Sequence, residues 1–201
     1  MRIGLYGGSF DPIHRGHVAP VLEAAAAHRL DRVIYLPTAS PPHKTDRQKA
    51  PANRRYAMAE LALLEHPHLQ VSDAEMMRRP AYTIDTLDLF ESRYPDDSLL
   101  LILGADSFCQ LDTWHQGEAI AARLELIVLS RPGWRLAADE LPGPQRQAAR
   151  AGRVHVVSNV PVEASSTEIR RCVRSGEPVP EAWLAPSVLD YLKKYGLYRR
   201  A

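Results

Sequence analysis

The sequence predicts an α/β fold, a doubly wound and mostly parallel sheet with helices on both faces. Short apolar runs rich in Val, Ile and Leu recur at 3–6, 33–36, 69–71, 99–103, 124–129 and 154–157. Runs of this kind suit strands buried on both faces. Stretches with helical spacing lie between them, and strand then helix, repeated, is the pattern of a parallel sheet. The chain has 201 residues, 45% of them hydrophobic, enough to bury one sizeable core. The expectation is one domain over 1–201, with a small helical portion at about 165–201.

The elements follow in order. The first strand begins with Arg2-Ile3-Gly4-Leu5-Tyr6, so no signal peptide is expected ahead of it and a cytoplasmic protein is the default. A helix is expected over 17–30, where Val18, Val21, Leu22 and Ala25 recur at helical spacing. After the second strand, 37–49 holds three prolines and many polar residues and reads as a loop. Pro51 suits a first turn, and Tyr56, Ala59 and Leu63 share one face of a helix over 51–65. Ile84, Leu87 and Phe90 mark a third helix over 83–94, and 114–123 a short fourth. The stretch 131–152 reads as a loop with one short helix. Ser165-Ser166-Thr167-Glu168 opens another helix, with caps and an acidic first turn. Prolines over 178–186 break the chain before a last helix at 187–195. The whole is Rossmann-like.

Composition excludes several functions. Net charge is +1 and the pI about 7.9, whereas a free-standing nucleic-acid binder is far more basic. The arginine pairs at 54–55, 78–79 and 170–171 are scattered, so no nucleic-acid partner is expected. No apolar run approaches the roughly 18–20 residues that span a bilayer, so no membrane partner is expected. Cys109 and Cys172 match no metal-ligand spacing, and no metal held by protein ligands is expected.

Chemistry concentrates after the first strand, in Gly7-Gly8-Ser9-Phe10-Asp11-Pro12-Ile13-His14-Arg15-Gly16-His17. In a doubly wound sheet ligands bind beyond the carboxyl ends of the strands. Gly7 and Gly8 let the backbone approach a ligand closely. His14 and His17 fall at the start of the next helix, where free N–H groups and the helix dipole favour phosphate. Gly16 between them leaves room for a phosphate or a flat base. Neither G-x-x-x-x-G-K-[ST] nor G-x-G-x-x-G occurs, so this is neither a P-loop nor the dinucleotide fingerprint.

Gly7-Gly8-Ser9-Phe10-Asp11-Pro12 with His14-x-Gly16-His17 resembles the H-x-G-H nucleotidyltransferase superfamily. Further stretches make nearly the whole chain similar to the bacterial nicotinate-nucleotide adenylyltransferase family. In Pro41-Pro42-His43-Lys44, the resemblance implies that Lys44 reaches the triphosphate. Arg79-Pro80-Ala81-Tyr82-Thr83-Ile84-Asp85-Thr86-Leu87 is similar to the family's S-Y-T-I-D-T-L segment, with Ala81 where Ser is usual. There the family reads the nicotinate carboxylate at a helix start, which implies contacts at Tyr82 and Thr83, with Thr83 as the cap. Gly104-Ala105-Asp106-Ser107-Phe108 with Trp114 matches G-A-D-x-F then W. This implies that Gly104 lies against ATP, Asp106 holds a ribose hydroxyl, and Trp114 stacks on the pyridine. Ser165-Ser166-Thr167-Glu168-Ile169-Arg170 resembles I-S-S-T-x-I-R, with Ala164 where Ile or Val is usual. It implies Ser166 as the cap of a second phosphate-facing helix and Arg170 as a forked cation. Ser130 and Arg131 are expected beside the adenine.

The reaction implied joins the AMP moiety of ATP, bound with Mg²⁺, to nicotinate mononucleotide, giving nicotinate adenine dinucleotide and pyrophosphate. His14, His17, Lys44 and Arg170 are then the cationic groups on phosphate. Gly7, Gly8, Ser9, Phe10 and Gly16 line the cradle. Rival readings are a nicotinamide-mononucleotide or phosphopantetheine adenylyltransferase, a cytidylyltransferase, and a nucleotide-binding regulator without catalysis.

Overall fold

The computed structural model describes residues 1–38, 50–76, 81–130, 134–135 and 137–199. Among them the strands are β1 (Arg2–Gly8), β2 (Arg32–Pro37), β3 (Leu69–Val71), β4 (Ser98–Gly104), β5 (Glu125–Ser130) and β6 (Val154–Ser158). The helices are α1 (Arg15–Ala27), α2 (Ala52–Leu63), α3 (Thr83–Arg93), α4 (Ala105–Cys109), α5 (Gly117–Arg123), α6 (Gly143–Arg150), α7 (Ser166–Ser175) and α8 (Pro186–Tyr195). The six strands form one sheet in the order β3-β2-β1-β4-β5-β6, and every neighbouring pair is parallel.

Side chains alternate across the sheet because a strand has a period of two. Val33 and Tyr35 of β2, Leu100 and Ile102 of β4 and Ile127 of β5 face one layer, packed with Val21, Met58, Ile169, Val188 and Leu192 from α1, α2, α7 and α8. Ile34 and Leu36, Leu101 and Leu103, and Leu126 and Val128 face the other, packed with Leu87, Phe90, Ile120 and Ala148 from α3, α5 and α6. Both faces are covered, which is why these strands read as unbroken apolar runs.

Two helix starts differ from the sequence reading by two or more residues. The first helix begins at Arg15, two residues before the expected 17, with His14 at its N-cap. Ahead of the segment expected as a helix over 114–123 come the short helix α4 and a 3₁₀ turn at Leu111–Thr113. Its helix, α5, starts only at Gly117. Gln116 ahead of it has φ 54°, in the left-handed region, and a Cβ on Gly117 would lie 1.8 Å from the Leu111 carbonyl oxygen. That contact fixes the turn and requires glycine there.

Ile102 is 1% exposed in the central strand β4. Ile102→Ala is expected to destabilise the fold by about 2–5 kcal/mol through lost transfer energy and a residual cavity. Urea unfolding followed by circular dichroism measures it.

Candidate active site

Strand order reverses between β1 and β4, and a crevice opens beyond the carboxyl ends of those strands. Gly7 and Gly8 end β1 there, and Gly104 ends β4. A Cβ on Gly7 or Gly104 would meet nothing within 4 Å, so both stand beside open space. Gly8 has another reason to be glycine. A Cβ on it would lie 2.7 Å from the Phe10 ring. Phe10 has φ 46°, which folds its side chain back into the core. Its ring is 1% exposed and packs on Tyr6, Tyr35 and the edge of His17. Ser9 is half-buried. Any contact of Phe10 with a ligand is through its backbone.

The two histidine rings lie against each other, tilted by 33°, with centroids 3.7 Å apart. The His14 N–H donates to His17 Nδ1 at 3.2 Å. A neutral His17 therefore carries its proton on Nε2. Tyr35 supports the turn from β2, its hydroxyl donating to the His17 carbonyl at 3.0 Å. Burial lowers the His14 pKa to about 4. Burial, then the neighbouring His14, lowers that of His17 well below the ordinary 6.5. The positive charge expected of this pair is thus disfavoured in the ligand-free site, because two adjacent, desolvated imidazoles resist ionisation.

The second expected helix start lies against the first. A Cβ on Gly16 would come within 3.0 Å of the His14 ring and 3.4 Å of the Ala164 carbonyl. Gly16 is the close-approach point between α1 and the strand-like lead into α7. The cap of α7 is Ser165, whose Oγ accepts the Glu168 N–H at 3.1 Å. Ser166, expected as the cap, is the first helical residue, and its Oγ donates to the Pro12 carbonyl at 2.9 Å. Consecutive serines offer the same hydroxyl, and the backbone turn selects the first. Arg170 reaches back to the same loop, with Nη1 2.6 Å from the Asp11 carbonyl oxygen and 3.9 Å from Asp11 Oδ2.

Sequence reasoning missed Asp11, Arg55 and Tyr198. Asp11 is 1% exposed, and its Oδ1 accepts from the Ala50 N–H at 3.0 Å and the Tyr198 hydroxyl at 2.6 Å. Arg55 is 3% exposed and donates to the carbonyls of Ala50 (3.1 Å), Ser9 (2.5 Å) and Thr38 (2.5 Å). Burial lowers its pKa and the nearby Asp11 carboxylate opposes that. Its signal was in the sequence: Arg55, Met58, Ala59 and Leu63 form the buried stripe of α2, displaced from the face expected through Tyr56. Lys44 and Arg131 lie outside the described residues, as do Arg79 and Pro80.

Across the crevice the start of α3 meets the turn after α4. Tyr82 is the N-cap of α3 and its ring lies against His115, tilted by 33°, with centroids 4.2 Å apart. Thr83, expected as the cap, is the first helical residue, because Tyr82 holds the extended cap conformation. Trp114, half-buried, precedes His115, and Asp106 is exposed in the first turn of α4. Gln145 of α6 fastens that turn, its Nε2 donating to the Phe108 carbonyl at 3.0 Å and Asp112 Oδ1 at 3.1 Å. Behind α3, Thr86 Oγ1 donates to the buried Glu75 carboxyl at 3.2 Å, and burial raises the Glu75 pKa to about 7. Ser130 is 4% exposed and its hydroxyl donates to Val157 of β6 at 3.3 Å. Its side chain is committed to the sheet.

Comparison with known proteins agrees with this geometry. The cytidylyltransferase-like family matches residues 5–172. A probable nicotinate-nucleotide adenylyltransferase of Thermus thermophilus is 42% identical over 201 residues, covering 99% of this chain and 100% of the relative. One from Pseudomonas fluorescens is 39% identical over 211 residues, covering 98% and 97%. The solved Plasmodium falciparum nicotinic acid mononucleotide adenylyltransferase complexed with NaAD shares the fold, with a TM-score of 0.77 at 19% identity over 98% of this chain and 97% of that one.

The histidine pair makes stability depend on pH. Both groups are neutral when folded and titrate near 6.5 when unfolded, so as pH falls from 6.5 toward 4 the unfolded chain binds more protons. His14→Gln is expected to flatten the loss of stability over that window relative to wild type. Urea midpoints at pH 7 and pH 5 check this.

Proposed function

This chain belongs to the cytidylyltransferase-like family and, within it, to the nicotinate-nucleotide adenylyltransferases, and from that premise we propose how its site works. It transfers the AMP moiety of ATP to nicotinate mononucleotide, giving nicotinate adenine dinucleotide and pyrophosphate, a step of NAD biosynthesis. The observation that carries the mechanism is the convergence of two helix starts at the β1/β4 crevice, tied by the Ser166–Pro12 bond. Two helix N-termini give free N–H groups and partial positive charge where phosphates must gather.

The acceptor's phosphate oxygen bonds to the α-phosphorus of ATP while the bond from that phosphorus to the bridging oxygen breaks. The electron pair leaves with pyrophosphate. A phosphate monoester is already ionised at pH 7, so no general base is needed. The barrier lies in bringing polyanions together in line, which makes positioning and charge stabilisation the main contributions.

His17 offers Nε2–H to the α-phosphate, the tautomer set by the bond from His14 N–H. The arriving phosphate restores one proton to the histidine pair, since opposite charge favours the ionised form. Arg170 and Lys44 hold the β and γ phosphates of the leaving group. Gly7, Gly8, Ser9 and Gly16 bring backbone to the nucleotide, and Gly104 leaves room beside it. Asp106 holds a ribose hydroxyl. Tyr82 and Thr83 present the start of α3 to the nicotinate carboxylate, and Trp114 stacks on the pyridine ring. Mg²⁺ would come with ATP, held mainly by its phosphate oxygens and waters, and would supply charge neutralisation to the triphosphate. Among the described residues no three His, Cys, Asp or Glu side chains are grouped to cage an ion.

Pyrophosphate release with ATP and each acceptor tests the reading. Nicotinate mononucleotide is expected to be the best acceptor; a higher kcat/KM with nicotinamide mononucleotide or phosphopantetheine, or no release at all, contradicts it. His17→Ala is expected to lower kcat by roughly two to three orders of magnitude, on the scale of a lost transition-state donor. Trp114→Ala is expected to raise KM for nicotinate mononucleotide and leave that for ATP nearly unchanged.

A further inference from the structure

The residue that finishes the phosphate-facing loop comes from the far end of the chain. Helix α8 stops at Gly196, and the Leu197 N–H returns to the Leu192 carbonyl at 3.1 Å. Tyr198 then takes φ 64°, in the left-handed region that side-chain-bearing residues avoid. A conformation of this kind persists where the surroundings over-determine it, and it gathers at functional sites. Here it carries the phenol inward to the Asp11 carboxylate, 187 residues earlier, with Oη 2.6 Å from Oδ1. Burial, then the Asp11 carboxylate, holds this phenol protonated far above its ordinary range, so it acts as a donor.

Asp11 is a node. Its Oδ1 takes bonds from Tyr198 and from the Ala50 N–H, while its own carbonyl takes the Arg170 guanidinium at 2.6 Å. Its Oδ2 is buried with no hydrogen-bond partner among the described residues and lies 3.9 Å from Arg170 Nη1. A buried carboxylate with one oxygen unpartnered depends strongly on the donors to the other. Three residues after Asp11 comes His14, and Ser166 is bonded to the intervening Pro12. The groups assigned to the triphosphate therefore hang on the placement of residue 11.

We propose that Tyr198 is a positioning residue for ATP: by holding the buried Asp11 carboxylate it sets the loop that carries His14 and the direction in which Arg170 points. The proposal rests on the adenylyltransferase reading of this site. It predicts a selective effect. Among the described residues nothing in the network bonds to Tyr82, Thr83 or Trp114, so the acceptor side should not feel the loss of one phenolic oxygen.

The test is Tyr198→Phe, which keeps the ring and its packing and removes only the donor, with a second variant ending after Leu197. ATP is titrated calorimetrically into each protein, and steady-state pyrophosphate release is measured with both substrates varied. Tyr198→Phe is expected to weaken ATP binding about tenfold, the lower end of what a hydrogen bond to an ion is worth, with KM for nicotinate mononucleotide unchanged. The shortened chain is expected to move the same way. ATP affinity within twofold of wild type in a folded Tyr198→Phe overturns the proposal. So does a lower melting temperature with reduced kcat and both KM values unchanged, which is the signature of a merely structural bond. A wild-type protein that binds ATP but releases no pyrophosphate with nicotinate mononucleotide overturns the functional reading, while the ATP titrations still decide the role of Tyr198.

Discussion

The docking of the start of α7 onto the loop before α1 is the contact on which the site depends. Ser166 Oγ meets the Pro12 carbonyl, Arg170 meets the Asp11 carbonyl, and Gly16 sits beside the Ala164 carbonyl, where a Cβ would press on the His14 ring at 3.0 Å. Each helix alone offers weak partial charge at its first turn. Brought to one point at the sheet's reversal, they make a place where phosphate oxygens find several donors at once. The sheet supplies the frame, because β1 and β4 are neighbours in its centre and both end at that crevice.

Around this contact the two histidines contribute little positive charge in the empty state. The imidazoles of His14 and His17 lie against each other and are desolvated, which disfavours their ionised forms. Arg55 and Arg170 keep their charge and hold backbone carbonyls of the loop. A polyanion entering the crevice changes this balance, since its charge favours a proton on the pair. A proton gained there would put positive charge on the pair only once the ligand is present.

Much of this was legible in the sequence. The six strands are continuous apolar runs because both faces of the sheet are covered, and all six lie within about a residue or two of the runs that announce them. The H-x-G-H turn, the Ser165 helix start and the Gly104–Trp114 stretch were legible from glycines, histidines and caps at short spacing. Local pattern failed where the determining contact is distant. Helix α4 is five residues long, too short to show a period. The buried Arg55 looked like one of a surface arginine pair, and only its place on the apolar stripe of α2 betrays it. Tyr198 carries no local signal at all, because its partner is 187 residues away. The charge state of the empty histidine pair was not legible for a related reason: ring contact and burial are tertiary facts, and spacing alone does not reveal them.

The central claim is that the neutral histidine pair gains a proton when the triphosphate arrives. Calorimetric titration of wild type with the Mg²⁺ complex of ATP at pH 7, in buffers of differing ionisation enthalpy, counts that proton directly. The account predicts uptake of a substantial fraction of one proton per ATP bound, lost when His14 and His17 are both replaced by Gln. Uptake near zero in the wild type, or equal uptake in the double variant, contradicts it.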